Sequence, residues 1–403
     1  MLKLIQDVRA SYWFLPSVLV FVGLGLAVFM GWVDTHADAL PVNLPTTFID
    51  TQADGARSTL AVIAQSVIGV TGVTFSMTLV AVSFASGNFG PRLIGNFMRD
   101  RGNQWSLGIL IATFSYALVV LRSVQDSSDG GAVQFVPQYS VILALALTIV
   151  CVFTLIYFIH HVPETINVSQ ISAGIGHALE KQIRDLIDEN ADDAAPLPFP
   201  ETEPVSVVTS TRSGYIQTVN FTELESLTQD NDWWIEMVPP IGAFVTTRSD
   251  VFRIWAKAPL DDEEKDSVAA CFALGTGRTG NQNPDFLAEQ LVEMIARALS
   301  PGVNDPYTAI DCLNRIAAAL TIAGCYGEGL RAPDLKKVRH PHVTFERLFA
   351  VTFPLCRQYV LPDDMVRGHA IGLLRDLRRQ VRSEDQRLIS EELERLSADK
   401  NSD

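Results

Sequence analysis

Charge is absent from four long stretches of this chain. Leu60–Ser86 runs 27 residues without Asp, Glu, Lys or Arg, and Trp13–Val33, Trp105–Leu121 and Pro137–Ile159 are uncharged as well. A soluble helix needs a charged face, so these lengths point to the bilayer, whose ~30 Å hydrocarbon layer takes about 20 apolar residues to cross. Positive charge is in short supply: 31 Lys and Arg stand against 46 Asp and Glu, a formal net charge of −15. About −14 of that belongs to residues 162–403. This excludes a phosphate-neutralising nucleic-acid surface and tight docking of that region on anionic headgroups. Cysteine is scarce too. Cys151, Cys271, Cys312, Cys325 and Cys356 form no C-x-x-C pair, so no zinc site or disulfide framework is implied, and packed thiols in a reducing compartment are expected. The phosphate-loop, zinc-protease, nucleophile-elbow and kinase motifs are all missing, and the G-T-G-R-T-G string at 275–280 has neither the placement nor the acidic partner of a dinucleotide site. Soluble enzymology has little to stand on.

Four spans in two antiparallel pairs follow. Lys3, Arg9, Arg92, Arg99 and Arg101 flank one side, against Arg57 and Arg122 in the other two short loops. By the positive-inside rule both termini are expected in the cytoplasm. The first helix is expected to be retained, being too long for a signal-peptide apolar region and lacking a small-x-small cleavage site.

The second span is crowded with small and polar residues. At 100° per residue Gln65, Gly69, Gly72, Ser76, Ser83 and Gly87 share a sector about 60° wide, while Thr71, Thr74 and Thr78 form a stripe on roughly the opposite side. In hydrocarbon, small residues let a neighbouring backbone approach closely, and hydroxyls return to their own i−4 carbonyl or bond across helices. Both stripes are therefore expected beside protein or water.

Beyond residue 161 the pattern changes. Ile166, Ile171, Ile175, Ala178, Leu179, Ile183, Leu186 and Ile187 have helical spacing with charges interleaved, which predicts an amphipathic connecting helix over 162–190. The Pro- and acid-rich stretch 191–204 reads as a linker. Short β-branched and aromatic runs over 205–258, such as VSVVTS, GYIQTV and WWIEMV, predict a small β-domain. Its SGYIQTVN and VPPIGAFVTTRSDVFRIW phrases resemble turns of barrel-sandwich modules. Carrier modules of that kind hold a modified Lys, and no Lys lies between Thr202 and Arg253, so no swinging-arm cofactor is implied. Residues 259–403 open on a strand-like VAACFALG and continue as helices near 285–300, 307–324 and 344–398, with Asn283-Pro284 and Asp305-Pro306 marking two helix starts. The fold class is thus an α-helical four-span transmembrane domain (1–161) followed by a cytoplasmic α+β region.

Candidate chemistry is sparse. Ser300, Gly302, Asn304 and Asp305 combine a turn with a helix N-terminus where an anion can bind, although Pro-Gly at a turn and Asp-Pro at a helix start explain the same residues by geometry. His160 and His161 point about 100° apart on a helix and make a poor chelating pair even with Glu164 near; headgroup contact or capping suits them better. His340 and His342 have no second cluster, so no metal is expected. Of Trp233 and Trp234, at least one is expected in the core of the β-domain.

Three strings, VTFSMTLVAVSFASGNFGPRLIGNFMRDR at 73–101, HHVPETINVSQI at 160–171 and RALSPGVNDPYTA at 297–309, resemble the hallmark strings of a bacterial membrane-protein family, domain of unknown function twenty-two fifty-four. Asn88-Phe89-Gly90 and Gln282-Asn283-Pro284 depart from the family's Gln-Phe-Ser and Gln-Asp-Pro. The resemblance covers almost the whole chain and implies the same spans-plus-cytoplasmic-domain architecture, with no activity or cofactor attached. Two readings of the second span stay open. One is a homo-oligomeric membrane scaffold or sensor, with the Gly/Ser stripe as a packing seam and the cytoplasmic domain binding a protein or small ligand. The other is an ion or small-solute channel with residues 60–90 lining the path. A membrane-embedded enzyme is a third.

Overall fold

The computed structural model describes residues 12–36, 52–89, 100–125, 135–188, 198–325 and 337–398. Lys3, Arg9, Arg92 and Arg99 of the flanking-charge argument, and residues 191–197 of the expected linker, lie outside the described residues. The chain divides into two compact units, Met1–Asn167 and Val168–Asp403.

The first unit contains α1 (Phe14–Thr35), α2 (Ala53–Phe89), α3 (Arg101–Ser123) and α4 (Gln138–Ile166), all four long and apolar enough to cross a membrane. Glycines bring α1 and α3 together. A Cβ added at Gly23 would lie 2.7 Å from the Ala112 carbonyl oxygen, and one at Gly108 would strike Leu19, so the two backbones approach as only small residues permit. Leu60, Ile63 and Val67 of α2 meet Leu110, Tyr116 and Val120 of α3 and Val141 and Ala144 of α4 in one apolar core.

Carboxylates pin both ends of the bundle. Asp34, closing α1, accepts hydrogen bonds from the amides of Tyr139 (2.8 Å) and Ser140 (3.1 Å) and from the Ser140 hydroxyl (2.5 Å), so it caps the N-terminus of α4 from another helix. At the other end Asp100 accepts from the Gly102 and Asn103 amides at the start of α3 and meets His161 Nε2 at 2.8 Å. At 37 residues, α2 is about 55 Å long, well beyond the expected 60–86. The added N-terminal turns are held because Ala53, Ala56 and Leu60 are buried. The helix α4 runs through Pro163, whose ring nitrogen has no hydrogen to give the carbonyl four residues back, that of Ile159.

The second unit begins with α5 (Val168–Asp188), then β1 (Ser206–Thr209), β2 (Gly214–Val219), α6 (Phe221–Asn231), β3 (Trp234–Met237), β4 (Phe244–Val245), β5 (Asp250–Trp255), α7 (Asp262–Ala269) and β6 (Phe272–Gly275). There follow α8 (Pro284–Ala298), α9 (Pro306–Cys325), β7 (Val338–Arg339), α10 (Phe345–Ala350), α11 (Phe353–Val360), α12 (Asp364–Gln380) and α13 (Ser383–Ser397). Two small sheets form, ordered β1-β5-β3-β7 and β4-β2-β6. All pairs are antiparallel except β3 with β7. They share one core with Ile216, Leu224, Trp233, Ile235, Phe252 and Ile254 at its centre.

Three local readings change. The strand-like VAACFALG is split, because Asp261 and Glu264 form a capping box that starts α7 and leaves only Phe272–Gly275 as strand. The sheets also take β6 and β7 from beyond residue 258, since edge partners are chosen by tertiary pairing. The end of the linker is tied down: Phe199 packs edge-on against Trp234 and Trp255, Arg339 lies 4.1 Å over its ring, and the Trp255 indole donates to the Thr202 carbonyl. In the helical part α8 is central, burying Phe286, Leu291, Val292 and Ile295. Arg357 clasps Glu392 through two hydrogen bonds of 2.7 and 2.8 Å.

Candidate functional site

The two stripes of α2 have opposite fates. Thr71, Thr74 and Thr78 are buried, and their hydroxyls donate to the carbonyls of Val67, Thr71 and Thr74 at 2.6, 2.9 and 2.9 Å. Self-satisfied in this way, a threonine packs against a neighbour much as valine does. Gln65, Gly69, Gly72, Ser76, Ser83 and Gly87 are all exposed. A Cβ added at Gly69 or Gly72 would meet nothing within 4 Å, in contrast to Gly23. By helical spacing, exposed Val62, Val73 and Val80 flank this strip on one side and Ile68 and Leu79 on the other. A narrow floor of small and polar residues between apolar walls is the surface that helices use to pack closely in hydrocarbon.

The turn at 300–306 satisfies itself. Its Ser300 hydroxyl donates to Arg297 O, the Asp305 amide to Ala298 O, and the Asp305 carboxylate takes the Thr308 amide (3.1 Å) and hydroxyl (2.5 Å). Asn304 adopts a left-handed φ of 49°, and Gly302 and Asn304 are exposed. These bonds describe a helix stop followed by a capped helix start.

A cleft of about 480 Å³ opens elsewhere in the second unit. It is assembled from Lys181, Gln182 and Asp185 of α5, Phe221 at the start of α6, Pro240 and Ile241, the 281–285 loop into α8, and residues from His340 to Arg347. The loop is locked by Gln282, whose side-chain amide exchanges two hydrogen bonds with the Val219 backbone. Asn283 caps α8, its Oδ1 accepting from the Phe286 amide at 3.1 Å. That commitment fixes its Nδ2 as a donor, yet Nδ2 is buried with no hydrogen-bond partner among the described residues. Gly242, at φ +86°, presses against this amide so closely that a Cβ would collide with it.

Asp285 is equally buried. Its Oδ2 takes the Arg347 Nε at 2.5 Å, while Oδ1 has no partner among the described residues. Burial pushes its carboxyl above the ordinary range, with Arg347 pulling the other way. Gln182 donates to the Gly280 carbonyl and leaves Oε1 unmatched among the described residues. One wall is aromatic: the His340 ring lies 4.6 Å from Phe221 and 4.9 Å from His342. The helix cap was legible in the sequence, whereas the grouping of these residues carried no sequence signal.

Among the described residues no group of three or more His, Cys, Asp or Glu is arranged to hold a metal. His160 pairs with Glu164 at 3.4 Å, and His161 with Asp100. Trp233 is buried in the sheet core.

The family of predicted membrane proteins termed DUF2254 matches residues 9–376. Uncharacterised proteins of Mycobacterium bovis and of Mycobacterium tuberculosis strains H37Rv and CDC 1551 are each 30% identical over 327 residues, 79% of this chain and 62% of theirs. The chain thus spans about three fifths of the length of these curated relatives. No solved structure matches it.

Proposed function

This chain belongs to the DUF2254 family of predicted membrane proteins, and from that premise we propose that it is a homo-oligomeric membrane scaffold or sensor. In this reading α1 to α4 cross a bacterial inner membrane, both termini are cytoplasmic, and the second unit is a cytoplasmic binding domain whose two sheets form a barrel-sandwich-like module. Arg101 at the start of α3 supports that orientation.

One observation carries the proposal: the open strip of Gln65, Gly69, Gly72, Ser76 and Ser83 on α2. Acyl chains offer nothing to a glutamine amide, and an unmatched polar group at membrane depth costs several kcal/mol. A second copy of the same face supplies both hydrogen-bond partners and the close backbone approach that glycines permit. Counting copies by stepwise photobleaching of the labelled full chain in lipid vesicles tests this. Two or more copies per particle at low surface density are expected; single copies throughout would overturn it.

A channel is the second reading. From Gln65 to Ser83 the strip runs about 27 Å, close to the hydrocarbon thickness, so several copies placing it around an axis would wet a continuous path. Uncharged, that path would select weakly among ions. Ser76→Leu with Ser83→Leu should then stop flux through vesicles while the copy number holds, and absence of flux in the unaltered protein refutes the channel.

A further inference from the structure

We propose that the end of the second unit carrying the 300–306 turn is a lipid-contact surface. Val303, Tyr307 and Met365 enter the headgroup layer of the bilayer that α4 crosses, and anchor the second unit there. The proposal rests on the reading of α4 as a membrane span and is independent of copy number.

Side-chain contacts fix which helix ends lie together. Ser172 of α5 donates to Asp311 of α9, and one turn later a Cβ added at Gly176 would lie 3.0 Å from the Cβ of Arg315. The two helices therefore run in the same direction, which sets Val168, the first residue of α5, level with Tyr307. The helix α12 runs alongside α9 in parallel: His369 meets Asn314 at 2.7 Å, and farther along the Arg382 amide, just past α12, donates to the Gly324 carbonyl at 3.3 Å. Tyr307 in the first turn of α9 and Met365 in the first turn of α12 thus stand at one end, beside the start of α5 and the turn.

That end presents apolar side chains. Tyr307 is 74% exposed, Val303 46% and Met365 45%, and Pro362 just before α12 is exposed as well. Exposed apolar side chains gathered in one place mark an interaction surface, and tyrosine suits the headgroup level, its ring toward the acyl chains and its hydroxyl in water. The carboxylates here are already engaged: Asp305 accepts from the Thr308 amide, Asp363 from the amides of Met365 and Val366, and Asp364 pairs with Arg367 at 3.0 Å.

Chain connectivity selects lipid as the occupant. Val168 comes two positions after Ile166, the last residue of α4, and from Ile159, where the uncharged run ends, to Ile166 is about 10 Å of helix. The headgroup layer is itself about 5–8 Å deep on each side of the bilayer. The covalent chain therefore keeps whatever lies level with Val168 close to the lipid surface. The acidic balance of residues 162–403 gives no pull toward anionic headgroups, so the contact is apolar and aromatic, on zwitterionic lipid.

The test is spin-label accessibility of the full chain in phosphatidylcholine nanodiscs. Val303→Cys, Tyr307→Cys and Met365→Cys are labelled one at a time in a chain carrying Cys325→Ser, with the buried Cys151, Cys271, Cys312 and Cys356 left in place. Oxygen, which concentrates in lipid, should relax these three labels more than a water-soluble nickel chelate does. The reverse should hold for Arg375→Cys, ten residues and about 15 Å farther along α12. Greater relaxation by nickel at the three positions would overturn the proposal, as would shielding from both agents, the sign of a second copy or another protein on this face. Oxygen-dominated relaxation at Arg375→Cys would overturn it too, since the flank and not this end would then face lipid. Phe153→Cys, at an exposed position midway along α4, separates the two readings: oxygen there with nickel at Val303→Cys refutes the anchor alone, whereas nickel at Phe153→Cys refutes the span on which it rests. All three anchor positions are exposed, so if one variant does not fold the other two decide.

Discussion

Alanine at Gly72 separates a seam from a lipid-facing surface by the sign of its effect. On a helix face open to lipid, Gly→Ala adds about 0.5–1 kcal/mol of helix stability and touches nothing, as the space around Gly72 in a single copy allows. If a second copy lies on this face, the methyl enters a contact built for backbone approach, and overpacking costs about 1–3 kcal/mol. That corresponds to roughly a 5- to 150-fold rise in the dissociation constant. The single chain supplies its own comparison: a Cβ at Gly23 would fall 2.7 Å from the Ala112 carbonyl oxygen, so Gly23→Ala should destabilise the fold of each copy by about the same overpacking amount. The assay is energy transfer between donor- and acceptor-labelled copies diluted across a range of lipid-to-protein ratios, with thermal unfolding measured in parallel. Expected for Gly72→Ala is weaker association with an unfolding temperature unchanged or raised, and for Gly23→Ala a lowered unfolding temperature. Association by Gly72→Ala as tight as that of the unaltered chain, with higher stability, would show that lipid covers the strip and would sink the seam.

Further outcomes follow from the second unit. Arg357→Met removes both hydrogen bonds to the carboxylate of Glu392, which is 1% exposed, and leaves it Arg395 at 4.0 Å, so it should cost about 3 kcal/mol by chemical denaturation; adding Glu392→Leu should restore most of it, and an equal loss in the double variant refutes the account. Cys312 and Cys356 are buried with thiols pushed up to about 12, so maleimide at pH 8 should label neither in the folded protein and both in denaturant, as read by peptide mapping; rapid native labelling refutes their burial. Asp285 has its folded carboxyl raised by burial, so its favourable share of stability is present below the ordinary carboxylate pKa near 4 and is lost as pH rises through the raised value. Relative to Asp285→Asn, the unaltered protein should therefore lose thermal stability on going from acid toward neutral pH, and a difference of the opposite slope would contradict the burial.

What the sequence disclosed depended on how local the cause was. Four uncharged runs were enough for four membrane-length helices, and helical spacing alone separated the Gly/Ser face of α2 from its Thr face. Which face turns inward was not legible, because small residues and hydroxyls both suit a packed surface. The threonine stripe is the buried one because each hydroxyl closes on its own helix, leaving a β-branched side chain to pack. Asn283-Pro284 and Asp305-Pro306 could be read as helix starts since a cap needs only neighbours in the chain. The cleft could not be read. It joins residues near 182, 221, 241, 283 and 340, and the unmatched donor of Asn283 arises because its oxygen is used by the cap while Gly242 packs against the amide. The parallel pairing of β3 with β7 escaped for the same reason, since strands about a hundred residues apart are joined by packing.

A single copy of the first unit offers no wet interior among its described residues. The hydroxyls of Thr71, Thr74, Thr78, Ser106 and Thr148 return to their own helices, Tyr116 donates to the Ser140 carbonyl, and Asp34 and Asp100 are each used as helix caps. The buried amide of Asn103 is an exception, its two side-chain polar atoms having no hydrogen-bond partner among the described residues; it stands at the start of α3, beside the bonds between Asp100 and His161, and not along the middle of the bundle. Between these ends the core is mainly Leu, Ile, Val and Ala, with Tyr116, Cys151 and Thr113 among them, which excludes water as close-packed interiors do. Under the channel reading a solute path would run along the outer strip of α2 with other copies enclosing it, and conduction would depend on assembly. Channel activity that persisted in vesicles holding one copy each would break that order, and with it the reading of the strip as the wall of a path between copies.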